Sequence, residues 1–124
     1  MTALVQLHLS TADELPLPLR WIAILHGHVK ASLAATSGIH DAAGLIKALL
    51  AGADVGMIAS VLYQKGLGQV GAILAGLSDW VVENEYDSVE QLKGSMSLEN
   101  CPDPAAFQRG NYMKTLTSYV GKAI

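Results

Sequence analysis

Apolar and polar residues alternate across residues 4–9 (LVQLHL), the period of a strand with one covered face. Ser10-Thr11-Ala12-Asp13 reads as a turn. Pro16 and Pro18 hold residues 15–19 extended, because a residue preceding proline is pushed out of the helical region. Apolar positions Leu19, Ile22, Ile24, Leu25 and Val29 predict a short helix closing near Gly27. Residues 31–36 read as a second strand, and Gly38 permits a sharp turn after it.

The clearest helical signal covers residues 41–51. Asp41 stands at its N-cap and Gly52 just past its end, and Ala42, Leu45, Ile46, Leu49 and Leu50 make one apolar stripe. Residues 53–59 are apolar on both faces, the pattern of a buried parallel strand. After a loop at Gly66 and Gly68, residues 69–85 form an amphipathic pattern with Val70, Ile73, Leu74, Leu77 and Val81 inward. Gly71 and Gly76 weaken that helix by about 1 kcal/mol each relative to alanine. Beyond Tyr86, Ser88 caps a short helix to Leu92, residues 93–104 are loop-like, and residues 105–120 read as a last helix.

Strands alternating with helices imply parallel pairing through right-handed crossovers. Three such units suit an open doubly wound sheet or an arc of a (β/α)₈ barrel, whose full form takes about 250 residues. The expected fold is therefore α/β: a partial (β/α)₈ (TIM) barrel of about three βα units plus a C-terminal helical tail. Residues 1–85 would hold the βα units, and residues 86–124 an extension packed on the same domain.

Composition sharpens this picture. Hydrophobic residues make up 51% of the 124 and charged residues only 15%, against about 25% charged in a typical domain; the mean hydropathy is +0.33. A small free-standing domain has much surface for its volume, so a chain this apolar is expected to bury a face against a partner. The net charge of −3, with no basic run, gives no support to nucleic-acid binding. No apolar run reaches the roughly 18 residues of a membrane span, since Gln64, Lys65, Gln69, Ser78 and Asp79 interrupt residues 62–82. The N-terminus shows no basic leader. A single cysteine, Cys101, rules out an internal disulfide framework and fits a reducing, cytoplasmic setting.

Candidate chemistry lies at the two strand ends. Ser37 and Gly38 follow one strand and Ala59 and Ser60 the other. Small residues with free backbone N–H groups at adjacent parallel strand ends can hold a phosphate. The other candidates read as structural. His26 and His28 have no third ligand at a metal-binding spacing from His8 or His40. Asp13 and Glu14 fit a solvated loop, Trp21 and Trp80 fit helix packing, and His40 fits a surface or capping role. Lys93 lacks the glycine pattern of a P-loop.

The stretch LPLRWIAILHGHVKASLAATSGIHDAAGLIKALLAGADVGMIAS, followed by EYDSVEQLKGSMS and CPDPAAFQRGNYMK, resembles the C-terminal part of dihydroorotate dehydrogenase-like proteins. These are FMN-dependent (β/α)₈-barrel oxidoreductases. The resemblance implies that residues 4–9, 31–36 and 55–59 correspond to the sixth, seventh and eighth strands. It also implies that the N–H groups of Ser37, Gly38, Ala59 and Ser60 hold the FMN phosphate. This chain has Ser37-Gly38 where relatives usually carry Gly-Gly, and Ala59-Ser60 where they carry Gly-Ser or Gly-Thr. No segment matches the strands that bring the flavin-facing lysine and the active-site base, and Cys101 lies outside the loop that carries a cysteine base in some members.

The function expected from the resemblance is the phosphate end of an FMN-dependent dehydrogenase of CH–CH donors, of the kind used in pyrimidine biosynthesis, inactive by itself. Its partner would be the missing N-terminal barrel half or a second copy. A non-catalytic half barrel that binds a phosphate-bearing ligand or oligomerises is the alternative, and an unrelated small α/β protein with a structural role is a third.

Overall fold

A computed structural model describes residues 6–103 and Ala105. A 3₁₀ turn at Ala12–Glu14 leads into α1 (Pro16–Leu25). There follow β1 (Ala34–Ala35), α2 (Ala42–Ala51), β2 (Val55–Gly56), α3 (Ser60–Lys65), α4 (Gly68–Glu83) and α5 (Val89–Leu92). Beyond Ala105, the expected last helix lies outside the described residues.

The partial barrel of three βα units is not what the chain forms. The described residues are mostly helical, and they contain two strands of two residues each, paired parallel with Ala34 opposite Val55 and Ala35 opposite Gly56. Residues 6–9 take no strand conformation. Alternation marks which side chains prefer cover but supplies no neighbouring strand, and Leu7 stays 64% exposed. Among the described residues, the one βαβ unit is β1–α2–β2. Its pairing is prolonged by Asp54 N–H donating to the Leu33 carbonyl at 2.7 Å and Met57 N–H donating to that of Ala35 at 2.8 Å.

Helix α2 organises the fold. The Asp41 carboxylate accepts from Gly44 N–H at 2.8 Å, and Gly52 ends the helix at φ 123°. Burial extends beyond the expected stripe to Gly44, Ala48 and Ala51, because α1, the strand pair and α4 all pack on α2. The core is built largely of small side chains, Ala23, Ala35, Ala48, Ala51 and Ala53 among them, closed by Leu15, Ile22 and Ile39. Small residues let the helices approach the strands closely at the cost of apolar area per residue.

Two departures have plain causes. Pro16 begins α1 where extended chain is expected: proline is at home in the first helical turn, where its missing N–H has no intrahelical acceptor to lose. Helix α4 turns only Ile73 fully inward, and Leu74 is 55% exposed. Gly76 faces Ala42 so closely that an added Cβ would lie 2.5 Å from the alanine methyl. Gly76 therefore sets the approach of α4 to α2, while nothing approaches Gly71.

The segment after α4 is stitched to the rest by backbone. Ser88 Oγ accepts from Gln91 N–H at 3.2 Å and so caps α5. Gly94 and Met96 N–H donate to the carbonyls of Leu49 and Leu50, and Leu98 N–H to that of Ala23, each at 2.9 Å. Carbonyls in the last turn of a helix have no intrahelical donor, and these bonds supply one to α2. Lys93 adds ion pairs to Asp54 at 2.9 Å and Glu90 at 3.0 Å.

The N–H of Leu33 donates to Asp54 at 2.7 Å. That bond first, and the Lys93 ammonium second, hold the Asp54 carboxyl below its ordinary 3.8; Asp54 and Glu90 raise Lys93 above 10.5. A depressed carboxyl stabilises the fold above its unfolded-state value and loses that contribution as pH falls through the folded-state one. A raised ammonium loses its contribution as pH rises through its folded-state value. Stability from this pair is expected to be flat at neutral pH and to fall at both extremes. Because the pair is partly solvated, its contribution is at most about 1 kcal/mol. Thermal melts of Asp54→Asn across pH should lack the part of the acid decline that the wild type owes to this group; identical acid limbs would remove Asp54 from the account.

Candidate functional site

Both strands run toward the same end of the βαβ unit, and a cleft of about 440 Å³ opens there. The turn after β1 passes through two consecutive left-handed residues, Ser37 at φ 73° and Gly38 at φ 83°. Gly38 is buried against the backbone of Leu15, where a Cβ would stand 2.5 Å from the Leu15 nitrogen. The turn after β2 runs through Ala59 into Ser60, the first residue of α3. Ser37, Gly38, Ala59 and Ser60 all line this one cleft.

A residue not singled out by sequence reasoning joins the two turns. Ser10 N–H donates to Ser60 Oγ at 2.9 Å, the two serine Oγ atoms lie 3.0 Å apart, and Gly38 N–H donates to Ser10 Oγ at 3.4 Å. The signal was present: Ser10 is a small polar residue at the end of an expected strand, as Ser37 and Ser60 are.

The free donors fit a phosphate group. Among the described residues, nothing accepts from the N–H of Ser37 or of Ser60. The hydroxyl of Ser37, which is exposed, adds a donor. Among the described residues, His8 and Glu14 line the outer wall and no lysine or arginine does. Among the described lining residues, a phosphate would meet neutral donors and the opposing Glu14 carboxylate.

The other candidates are dispersed. His26 Nδ1 faces the Gly52 carbonyl at 3.3 Å, and His28 is exposed with Nδ1 3.4 Å from the His26 carbonyl. His40 is half-buried, its Nε2 without a partner among the described residues, and its carbonyl accepts from Gln69 Nε2 at 2.9 Å. Trp80 stacks on Tyr86 with centroids 5.6 Å apart, while Trp21 is exposed on α1. Cys101 is half-buried, its thiol directed at the Asp103 carbonyl 3.5 Å away. No family model matches the chain, and no curated protein matches it.

Proposed function

We propose that the cleft takes the phosphate end of FMN and that the chain is the C-terminal part of an oxidoreductase similar to dihydroorotate dehydrogenase. The observation that carries this reading is the convergence of two turns, separated by the whole of α2, on one cavity at the carboxyl ends of two parallel strands. Ligands of parallel α/β arrangements sit at that end of the strands. In this reading Ser37 and Ser60 donate N–H groups to the phosphoryl oxygens, and Ser10 and Ser60 close the side of the cleft. FMN, when bound, would supply hydride-accepting chemistry; Ser37 and Ser60 would bind and orient its phosphate, and neither would act as a base. The isolated chain is therefore inactive, and a cytoplasmic setting belongs to the same reading.

The outer face of the strand pair favours a partner. Val55 and Met57 are 49% and 55% exposed, although parallel strands are ordinarily covered on both faces. The N-terminal portion of the same enzyme, or a second copy, would cover it. A second copy would make the chain a non-catalytic phosphate-binding module.

Titrating FMN into the full chain and following flavin fluorescence tests the site. Binding is expected, with competition by inorganic phosphate and no oxidation of dihydroorotate by a dye acceptor. Failure of FMN to bind, or binding indifferent to phosphate, rules the reading out. Turnover would show that the chain carries its own base. Light scattering on the same sample separates a homogeneous dimer from a chain that needs a different partner.

A further inference from the structure

The groups that close the cleft beside Ser10 bond to one another. Gly38 is buried, and a buried N–H needs an acceptor; it has the Ser10 hydroxyl oxygen. That oxygen also contacts Ser60 Oγ, which accepts from Ser10 N–H. Four donors, the N–H groups of Ser10 and Gly38 and the two hydroxyls, meet two oxygens in three contacts. Whichever serine donates in the Oγ–Oγ contact, one hydroxyl proton is left over.

An anion oxygen placed in the mouth between the two turns would compete with Ser10 for the same Gly38 N–H and Ser60 hydroxyl. We infer that the Ser10 hydroxyl is a placeholder for that oxygen, and that ligand entry requires it to release Gly38 and Ser60. This rests on the phosphate reading of the cleft. It makes Ser10 a specificity-determining residue. An anionic phosphoryl oxygen accepts hydrogen bonds more strongly than a neutral hydroxyl does, so it displaces Ser10 where a sugar or polyol hydroxyl gains nothing by doing so.

The test is calorimetric titration of the full chain with inorganic phosphate, for wild type, Ser10→Ala and Ser10→Asp, with hydrogen exchange of the Gly38 amide followed by NMR. Ser10→Ala is expected to bind phosphate roughly three- to tenfold more tightly, the worth of one neutral hydrogen bond no longer displaced. Its Gly38 amide should exchange faster without phosphate and slow again with it. Ser10→Asp places a carboxylate in the same position, so Gly38 should stay protected while phosphate affinity drops at least tenfold. Weaker binding by a folded Ser10→Ala would make the serine a ligand contact and overturn the placeholder. Fast Gly38 exchange in the wild type would overturn it whether or not phosphate binds. Absence of phosphate binding in every variant, with Gly38 protected in the wild type, would instead overturn the reading of the cleft, and the placeholder with it.

Discussion

Gly38→Ala is expected to cost about 2–5 kcal/mol of stability, enough to unfold a marginal domain. Two independent penalties add. A Cβ at φ 83° carries the left-handed cost of about 1–2 kcal/mol. The same atom would stand 2.5 Å from the nitrogen and 2.9 Å from the Cα of Leu15. These are backbone atoms that cannot rotate away, so the start of α1 must shift, an overpacking cost of about 1–3 kcal/mol. The neighbouring Ser37→Gly supplies the contrast. It relieves a left-handed serine and adds only the roughly 0.4–1 kcal/mol of unfolded-chain freedom that glycine brings, so it should be neutral or slightly stabilising. Urea denaturation should lower the midpoint of Gly38→Ala and leave that of Ser37→Gly unchanged or slightly raised. If Gly38→Ala kept wild-type stability and lost only phosphate affinity, the glycine would be there for the ligand, and the packing explanation would fail.

Leu92→Ala is the second large effect, at about 2–5 kcal/mol. Leu92 is fully buried at the end of α5, beneath a segment that brings few other large side chains to the core. Its loss leaves a cavity under the chain that carries Gly94 and Met96, whose N–H groups serve the Leu49 and Leu50 carbonyls. The variant should therefore lose hydrogen-exchange protection at Gly94 and Met96 before it loses protection in α2. Protection lost everywhere at once would mean that residues 86–103 and α2 open only as a unit.

What was legible in the chain was local. Asp41 and Gly52 bound α2 in the sequence as they do in the structure, and Ser88 caps α5 where its side chain suggests. These signals are bonds between a side chain and its own neighbourhood, and they need no knowledge of the rest of the fold. The strands were misjudged for the opposite reason. Residues 31–36 and 53–59 shrink to two-residue pairs and residues 6–9 to none, because strand length depends on neighbours that a single segment does not contain. At Pro16 the proline's own fitness for a first helical turn outweighs the extended preference it imposes on the residue before it. At the site, Ser37, Gly38, Ala59 and Ser60 were named from their positions at strand ends and do share one cleft. The glycine's contact with Leu15 and the role of Ser10 depend on distant chain folding back, which no spacing rule reports.

The uncovered face of the strand pair has a consequence for how this protein behaves as a population of molecules. Where folded chains bury such a face against one another, each association removes folded monomer and draws unfolded chain after it, so mass action couples stability to concentration. Melting temperature would then be no fixed property of the chain but would climb as the solution is made more concentrated. In dilute solution that support would be lost, and the same apolar residues and short free strand edges would stay open to solvent.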